Sequence, residues 1–132
     1  MKKEQIQISK SFTVSSGKLY KAWLSSKEHS AFTGGKAKIQ NKTGCKFTAW
    51  DNYISGEILE LDEGKRILQF WRTTDFPKDD EDSILEILLG DTAKGCKLTL
   101  KQWNIPGGQG KSYKEGWVKF YFEPMAKYFN KK

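Results

Sequence analysis

The sequence predicts an α+β fold in which a curved antiparallel sheet wraps around one long C-terminal helix. The chain opens on period-two alternation, short strand-like runs separated by turn residues fill residues 37–103, and residues 110–129 return to a helical period. No stretch between the short runs is long enough for a crossover helix, so a meander is expected and a doubly wound parallel sheet is disfavoured. With 132 residues, the chain is expected to form a single domain over residues 1–132.

The first strand is expected over Glu4 to Thr13, where Ile6, Ile8 and Phe12 alternate with Gln5, Gln7 and Ser9. Ser15 or Ser16 can cap a following helix whose apolar positions Leu19, Tyr20, Trp23 and Leu24 share one side. A second helical turn around Lys27 to Phe32 should end at Gly34-Gly35, where a left-handed cap is free of steric cost. Six strand candidates follow: Ala37 to Gln40, Cys45 to Trp50, Tyr53 to Leu61, Arg66 to Thr73, Ser83 to Leu89 and Cys96 to Trp103. Their separators, such as Asn41-Lys42-Thr43-Gly44 and Asp62-Glu63-Gly64-Lys65, have hairpin chemistry. After Asn104-Ile105-Pro106-Gly107-Gly108, a helix of roughly 20 residues, about 30 Å long, should carry Tyr113, Trp117, Phe120, Tyr121, Met125 and Tyr128 on one broad side. Pro124 should bend it, and Gly116 should let its backbone approach the sheet.

Composition narrows the function. The net charge of +7 is spread along the chain with a mild lean toward Lys36, Lys38, Lys42 and Lys46, and only Arg66 and Arg72 are arginines. Base reading favours arginine, and most aromatics occupy inward phases, so nucleic acid is not expected as a partner. No apolar run approaches the ~18 residues that cross a bilayer, and the opening Met1-Lys2-Lys3-Glu4-Gln5 does not read as a signal peptide. Neither membrane insertion nor secretion is expected, which leaves a cytoplasmic location. Cys45 and Cys96 are expected to be free, buried thiols.

Catalytic and metal constellations do not stand out. The sole histidine, His29, lies in a polar helical region and is expected to face solvent; no metal ligand set or cofactor is assigned. Asp79-Asp80-Glu81-Asp82 lacks the spacing of a calcium loop and reads as a solvated turn. Gly107-Gly108-Gln109-Gly110 has neither the strand register nor the spacing of a phosphate-binding loop.

Strand phase carries the candidate site. Lys97, Thr99 and Lys101 fix Cys96, Leu98, Leu100 and Gln102 as inward; Arg66 and Arg72 do the same for Ile67, Gln69 and Trp71, and Lys46 for Phe47. Two inward amides, Gln69 and Gln102, then need partners, because a buried unsatisfied amide costs roughly 1–3 kcal/mol. One reading makes them orient a small apolar guest between sheet and helix, with Trp71, Trp117 and Tyr113 as walls. The plainer alternative satisfies them at strand ends with backbone or water.

The segment AFTGGKAKIQNKTGCKFTAWDNYISGEILELDEGKRILQFWRTTDFP, from Ala31 to Pro77, and the ending GWVKFYFEPMAKYF, from Gly116 to Phe129, resemble one known family. It is the family named for the C-terminal domain of the activator of the 90-kDa heat-shock protein's ATPase, within the START-like helix-grip superfamily. The resemblance rests on the spacing of Gly44, Phe47, Asp51, Gly56, Trp71 and the Gly116-Trp117 pair. It implies an N-terminal strand, a helical pair, further antiparallel strands and a long helix gripped by the sheet. It carries over no catalytic residue. Where relatives read like Val-His-Ser-Gly-Val-Pro, this chain has Lys101-Gln102-Trp103-Asn104-Ile105-Pro106, with Gln102 replacing an inward histidine.

Three functions remain in view. The leading one is non-enzymatic binding of a small apolar or lipid-like ligand by Trp23, Phe47, Gln69, Trp71, Gln102, Tyr113 and Trp117. The second is a protein-interaction module that meets a chaperone through Lys36, Lys38 and Lys42. The third is a cyclase- or hydrolase-like enzyme that uses the cavity for shape and the glutamines for polarisation. Oligomeric state is left open.

Overall fold

The computed structural model describes residues 2–130. Strand β1 (Glu4–Phe12) leads into helices α1 (Ser16–Trp23) and α2 (Ser26–Thr33). Strands β2 (Lys46–Ala49), β3 (Ile54–Asp62), β4 (Arg66–Thr73), β5 (Ser83–Thr92) and β6 (Gly95–Ile105) follow. The chain closes with α3 (Gly110–Gly116), a wider π-helical stretch over Trp117–Phe122, and α4 (Glu123–Asn130). All strand pairs are antiparallel, in the order β1-β6-β5-β4-β3-β2, so β1 returns to the end of the meander beside β6.

Local chemistry fixes the helix ends, with Ser15 and Gly34 in the roles expected of them. The Ser15 hydroxyl accepts from the Lys18 N–H at 3.2 Å to start α1, and Ser25 accepts from Glu28 at 3.2 Å to start α2. Gly34 ends α2 in the left-handed region at φ 83°. Helix α3 is tied to the sheet by Glu4, whose carboxylate accepts from the Gly108 N–H at 2.9 Å and the Gly110 N–H at 2.7 Å. Those backbone donors hold the Glu4 carboxyl below its ordinary value, as expected for an anion at a helix N-terminus.

The inward phases predicted from the lysines and arginines hold. Ile58, Ile67, Leu85, Ile87, Leu98 and Leu100 are fully buried, and Trp117, Tyr121, Phe122, Met125 and Phe129 cover them from the C-terminal helix. Beside Pro124 the structure shows a local widening of the helix, one turn early. The proline ring cannot share a normal turn with the carbonyl four residues back, and the turn before it opens so that the Glu123 N–H donates to the Val118 carbonyl, five residues back.

Three expectations are corrected. Ala37 to Gln40 is not a strand: only Lys38 pairs, bridging Thr48. The backbones of Ala37 and Ile39 are instead taken by the Ser30 and Ser26 hydroxyls of α2, at 2.8 and 2.9 Å, so the segment is a strap between α2 and β2. Cys45 is only half-buried, because its thiol sits at the turn before β2 and donates to Gln40 Oε1 at 3.4 Å; Cys96 is buried as expected. The acidic turn is pinned rather than merely solvated, with Asp80 paired to Lys3 at 2.8 Å and Asp82 to Arg72 at 3.0 Å. No helix among the described residues is long and apolar enough to cross a membrane.

Candidate functional site

An apolar cleft of about 320 Å³ opens between the sheet and the C-terminal helix. The sheet side supplies Trp50, Tyr53, Ile54 and Trp71; the helix supplies Ser112, Tyr113, Gly116, Trp117, Phe120 and Tyr121. Tyr53 and Phe120, 38% and 52% exposed, mark its mouth. The volume is at the small end of ligand sites and equals roughly ten waters.

Both walls depend on unusual backbone. Trp50, Asp51 and Asn52, between β2 and β3, all lie in the left-handed region, at φ 51°, 57° and 75°. Left-handed geometry costs a side-chain-bearing residue roughly 1–2 kcal/mol. The turn is held by backbone bonds from Asp51 N–H to Lys36 O at 3.0 Å and from Tyr53 N–H to Trp50 O at 3.1 Å. Gly35 makes room for it: a Cβ there would fall 2.8 Å from Trp50 Cε3. On the helix side, Trp117, Phe120 and Tyr121 belong to the π-helical stretch, and Gly116 leaves a gap beside Phe120.

Of the residues expected to bind a ligand, the structure brings Trp71, Tyr113 and Trp117 to this cleft. Trp23, Phe47, Gln69 and Gln102 are buried outside its lining. The oxygens of the two amides are met by tryptophan N–H groups rather than by strand-end backbone. Gln69 Oε1 accepts from Trp23 Nε1 at 3.1 Å. Gln102 Oε1 accepts from Trp117 Nε1 at 2.8 Å, and Gln102 Nε2 donates to Ser83 Oγ at 3.0 Å. Gln102 therefore positions a cleft wall from behind. Lys36, Lys38 and Lys42 are all exposed on or beside the strap, as expected.

His29 is a correction. It does not face solvent but is 3% exposed, because α2 turns His29, Phe32 and Thr33 inward together. Its Nδ1 donates to the Trp23 carbonyl at 2.8 Å, which leaves Nε2 as the acceptor for the Tyr121 hydroxyl at 2.8 Å. Burial lowers its pKa from 6.5 to about 4, against a smaller opposing effect of the Trp23 bond. The ring is thus neutral and braces Tyr121 in the cleft wall.

The other phenols are tied at the mouth. Tyr113 donates to Gln109 Oε1 at 2.6 Å and lies 2.7 Å from Thr73 Oγ1, while Tyr53 donates to Asp75 Oδ2 at 2.6 Å. Burial pushes Tyr113 up to about 12 and raises Tyr53 and Tyr121, so all three remain protonated at neutral pH. Among the described residues, no group of three His, Cys, Asp or Glu is placed to hold a metal ion. Sequence reasoning missed Trp50, Tyr53 and Ile54 on the sheet side and Ser112, Gly116, Phe120 and Tyr121 on the helix; the turn signal Asp51-Asn52 was visible, but not the left-handed run that aims the flanking aromatics at the helix.

Residues 13–130 match the family model described as Activator of Hsp90 ATPase homolog 1-like protein. The human activator of 90 kDa heat shock protein ATPase homolog 1 is 26% identical over 125 residues, covering 95% of this chain and 37% of its own length. A homologous activator from Dictyostelium discoideum is 24% identical over 112 residues, 85% of this chain and 29% of its own. The chain thus spans about a third of the length of the curated relatives it matches. Among solved structures, an HSP90 activator from Plasmodium falciparum superposes with a TM-score of 0.78 at 22% identity, covering 93% of this chain and 92% of its own. The Mesorhizobium loti protein MLL2253 superposes at 0.83 with 18% identity, covering 98% of both chains. These likenesses fix the fold as the START-like helix grip that the resemblance implied, with the order of elements read from the residues. The chain belongs to the Activator of Hsp90 ATPase homolog 1-like family.

Proposed function

We propose that the protein is a non-enzymatic binding domain that takes a small apolar ligand into the cleft between the sheet and the C-terminal helix. The observation that supports this most is the lining itself: seven of its ten residues are aromatic, gathered by a left-handed turn on one side and a π-helical stretch on the other. Strained backbone and π-helical turns cluster at functional sites, where packing alone would favour regular geometry. The test is native mass spectrometry and calorimetry against mixed fatty acids and aromatic compounds, with Gly116→Leu as the blocked form. A Cβ at Gly116 meets only Phe120 Cδ2, at 3.8 Å, so the larger side chain can fill the cleft without a backbone clash. One-to-one binding that falls at least tenfold in Gly116→Leu, with unchanged circular dichroism, is expected. Absence of binding, or binding indifferent to the substitution, would refute it.

A second reading comes from the relatives named as activators of a heat-shock protein ATPase. In it, exposed Lys36, Lys38 and Lys42 meet an acidic surface of a 90-kDa heat-shock chaperone. Pull-downs should then recover the chaperone, and Lys38→Glu with Lys42→Glu should weaken recovery, more so at low salt. Unchanged recovery removes the electrostatic version.

A further inference from the structure

We infer that the cleft takes a neutral, planar aromatic ligand bearing one hydrogen-bond acceptor, which docks on the indole N–H of Trp71. The inference rests on the cleft-binding reading above and names the class of its ligand.

Ring geometry supplies the planar part. Trp71 lies 5.1 Å from Tyr113 and 5.3 Å from Trp117, forming one wall. Trp50 lies 6.0 Å from Phe120 and 6.5 Å from Tyr121, forming the other. The walls meet where Trp117 and Tyr121 approach to 4.8 Å. Among the described residues, no ring contact joins Trp50 or Phe120 to Trp71 or Tyr113, so the walls diverge into a slot edged by Gly116. A flat ring presents a face or edge to both walls at once, which a flexible chain does only after losing its rotational freedom.

Hydrogen-bond accounting supplies the acceptor. Four aromatic donors of the lining are spent elsewhere: Trp117 on Gln102, Tyr113 on Gln109, Tyr53 on Asp75 and Tyr121 on His29, while Trp50 is turned toward the Tyr121 oxygen. Trp71 is the exception. It is 4% exposed, its Nε1 has no partner among the described residues, and that atom is not sealed from solvent. A donor with no protein partner, on a side chain that lines the cleft, is open to a guest.

Charge supplies the neutrality. None of the ten lining residues is a carboxylate, lysine or arginine, so a charged group drawn inside would lose its hydration without gaining a counter-ion. A ketone, ether or phenol oxygen meets the indole without that loss.

Three probes of matched size separate the outcomes in calorimetry on the full chain: 2-acetylnaphthalene, 2-ethylnaphthalene and decanoate. The ketone should bind about tenfold tighter than the hydrocarbon, the upper range of one neutral hydrogen bond, and Trp71→Phe should erase that preference while both still bind. Equal affinities for ketone and hydrocarbon, or decanoate as the tightest probe, would overturn the inference and leave the cleft-binding reading standing. Failure of all three, together with failure of the mixed compounds, would remove both. If Trp71→Phe does not fold, the native protein still decides: the ketone must move one indole N–H resonance downfield of its position with 2-ethylnaphthalene bound, and no such difference overturns the inference.

Discussion

Acidification from pH 7 to below pH 4 is expected to remove about 3 kcal/mol of stability through one side chain, His29. Its folded pKa is lowered from 6.5 to about 4, chiefly by burial among Trp23, Phe32 and Tyr121, and that gap converts to about 3 kcal/mol. Since the folded value is the lower one, the unfolded chain takes up the proton first. The contribution is therefore complete above pH 6.5, declines as pH falls, and is exhausted below about pH 4, with about 2 kcal/mol gone by pH 5. Glu4 and Asp91 also have lowered pKa values, from backbone donors at Gly108 and Gly110 and at Ser16, but their contributions are present above the ordinary carboxylate range and are lost only at more acid pH. Urea unfolding followed by tryptophan fluorescence at pH 7, 6 and 5 separates the two effects when repeated on His29→Gln. The native protein should lose about 2 kcal/mol across that range and the variant should be nearly flat, whatever its absolute stability. Parallel pH dependences would refute the assignment of a neutral, doubly bonded His29.

Three further outcomes follow from the packing. Gly56→Ala places a Cβ against the Phe70 carbonyl oxygen and within 2.7 Å of Phe47 Cε1, so it should cost about 3 kcal/mol or more in chemical denaturation. Gln102→Leu strands the Trp117 N–H and should cost about 1–3 kcal/mol. Combining it with Trp117→Phe should cost less than the two single changes together, and strict additivity would contradict the bond. Gly116→Ala replaces a helical glycine where only Phe120 Cδ2 is near, so it should gain about 0.5–1 kcal/mol and raise the thermal midpoint by a few degrees.

The meander, its inward phases and the closing helix were legible in the sequence because each strand carried its own polarity marker. Lys97, Thr99 and Lys101 fixed β6, and Arg66 with Arg72 fixed β4. The site was legible only where it used those phases, at Trp71, Tyr113 and Trp117. Trp50 and Tyr53 flank a turn of two polar residues, and periodicity carries no information about a left-handed backbone. Phe120 shares the apolar side of the helix in sequence, yet the wider π-helical turn rotates it to the mouth. His29 hid among polar neighbours on a short helix, although its spacing to Phe32 and Thr33 was the available clue. Gln69 and Gln102 were rightly placed inward, but strand parity cannot reveal that tryptophan N–H groups would answer them.

The most direct measurement is a set of intermolecular nuclear Overhauser effects between 2-acetylnaphthalene and the protein. Contacts from the probe's ring protons to Trp71, Tyr113 and Phe120 would place the guest between sheet and helix, as the account requires. Contacts confined to Trp103 and Ile84 on the outer face of the sheet, with the cleft resonances unmoved, would contradict it.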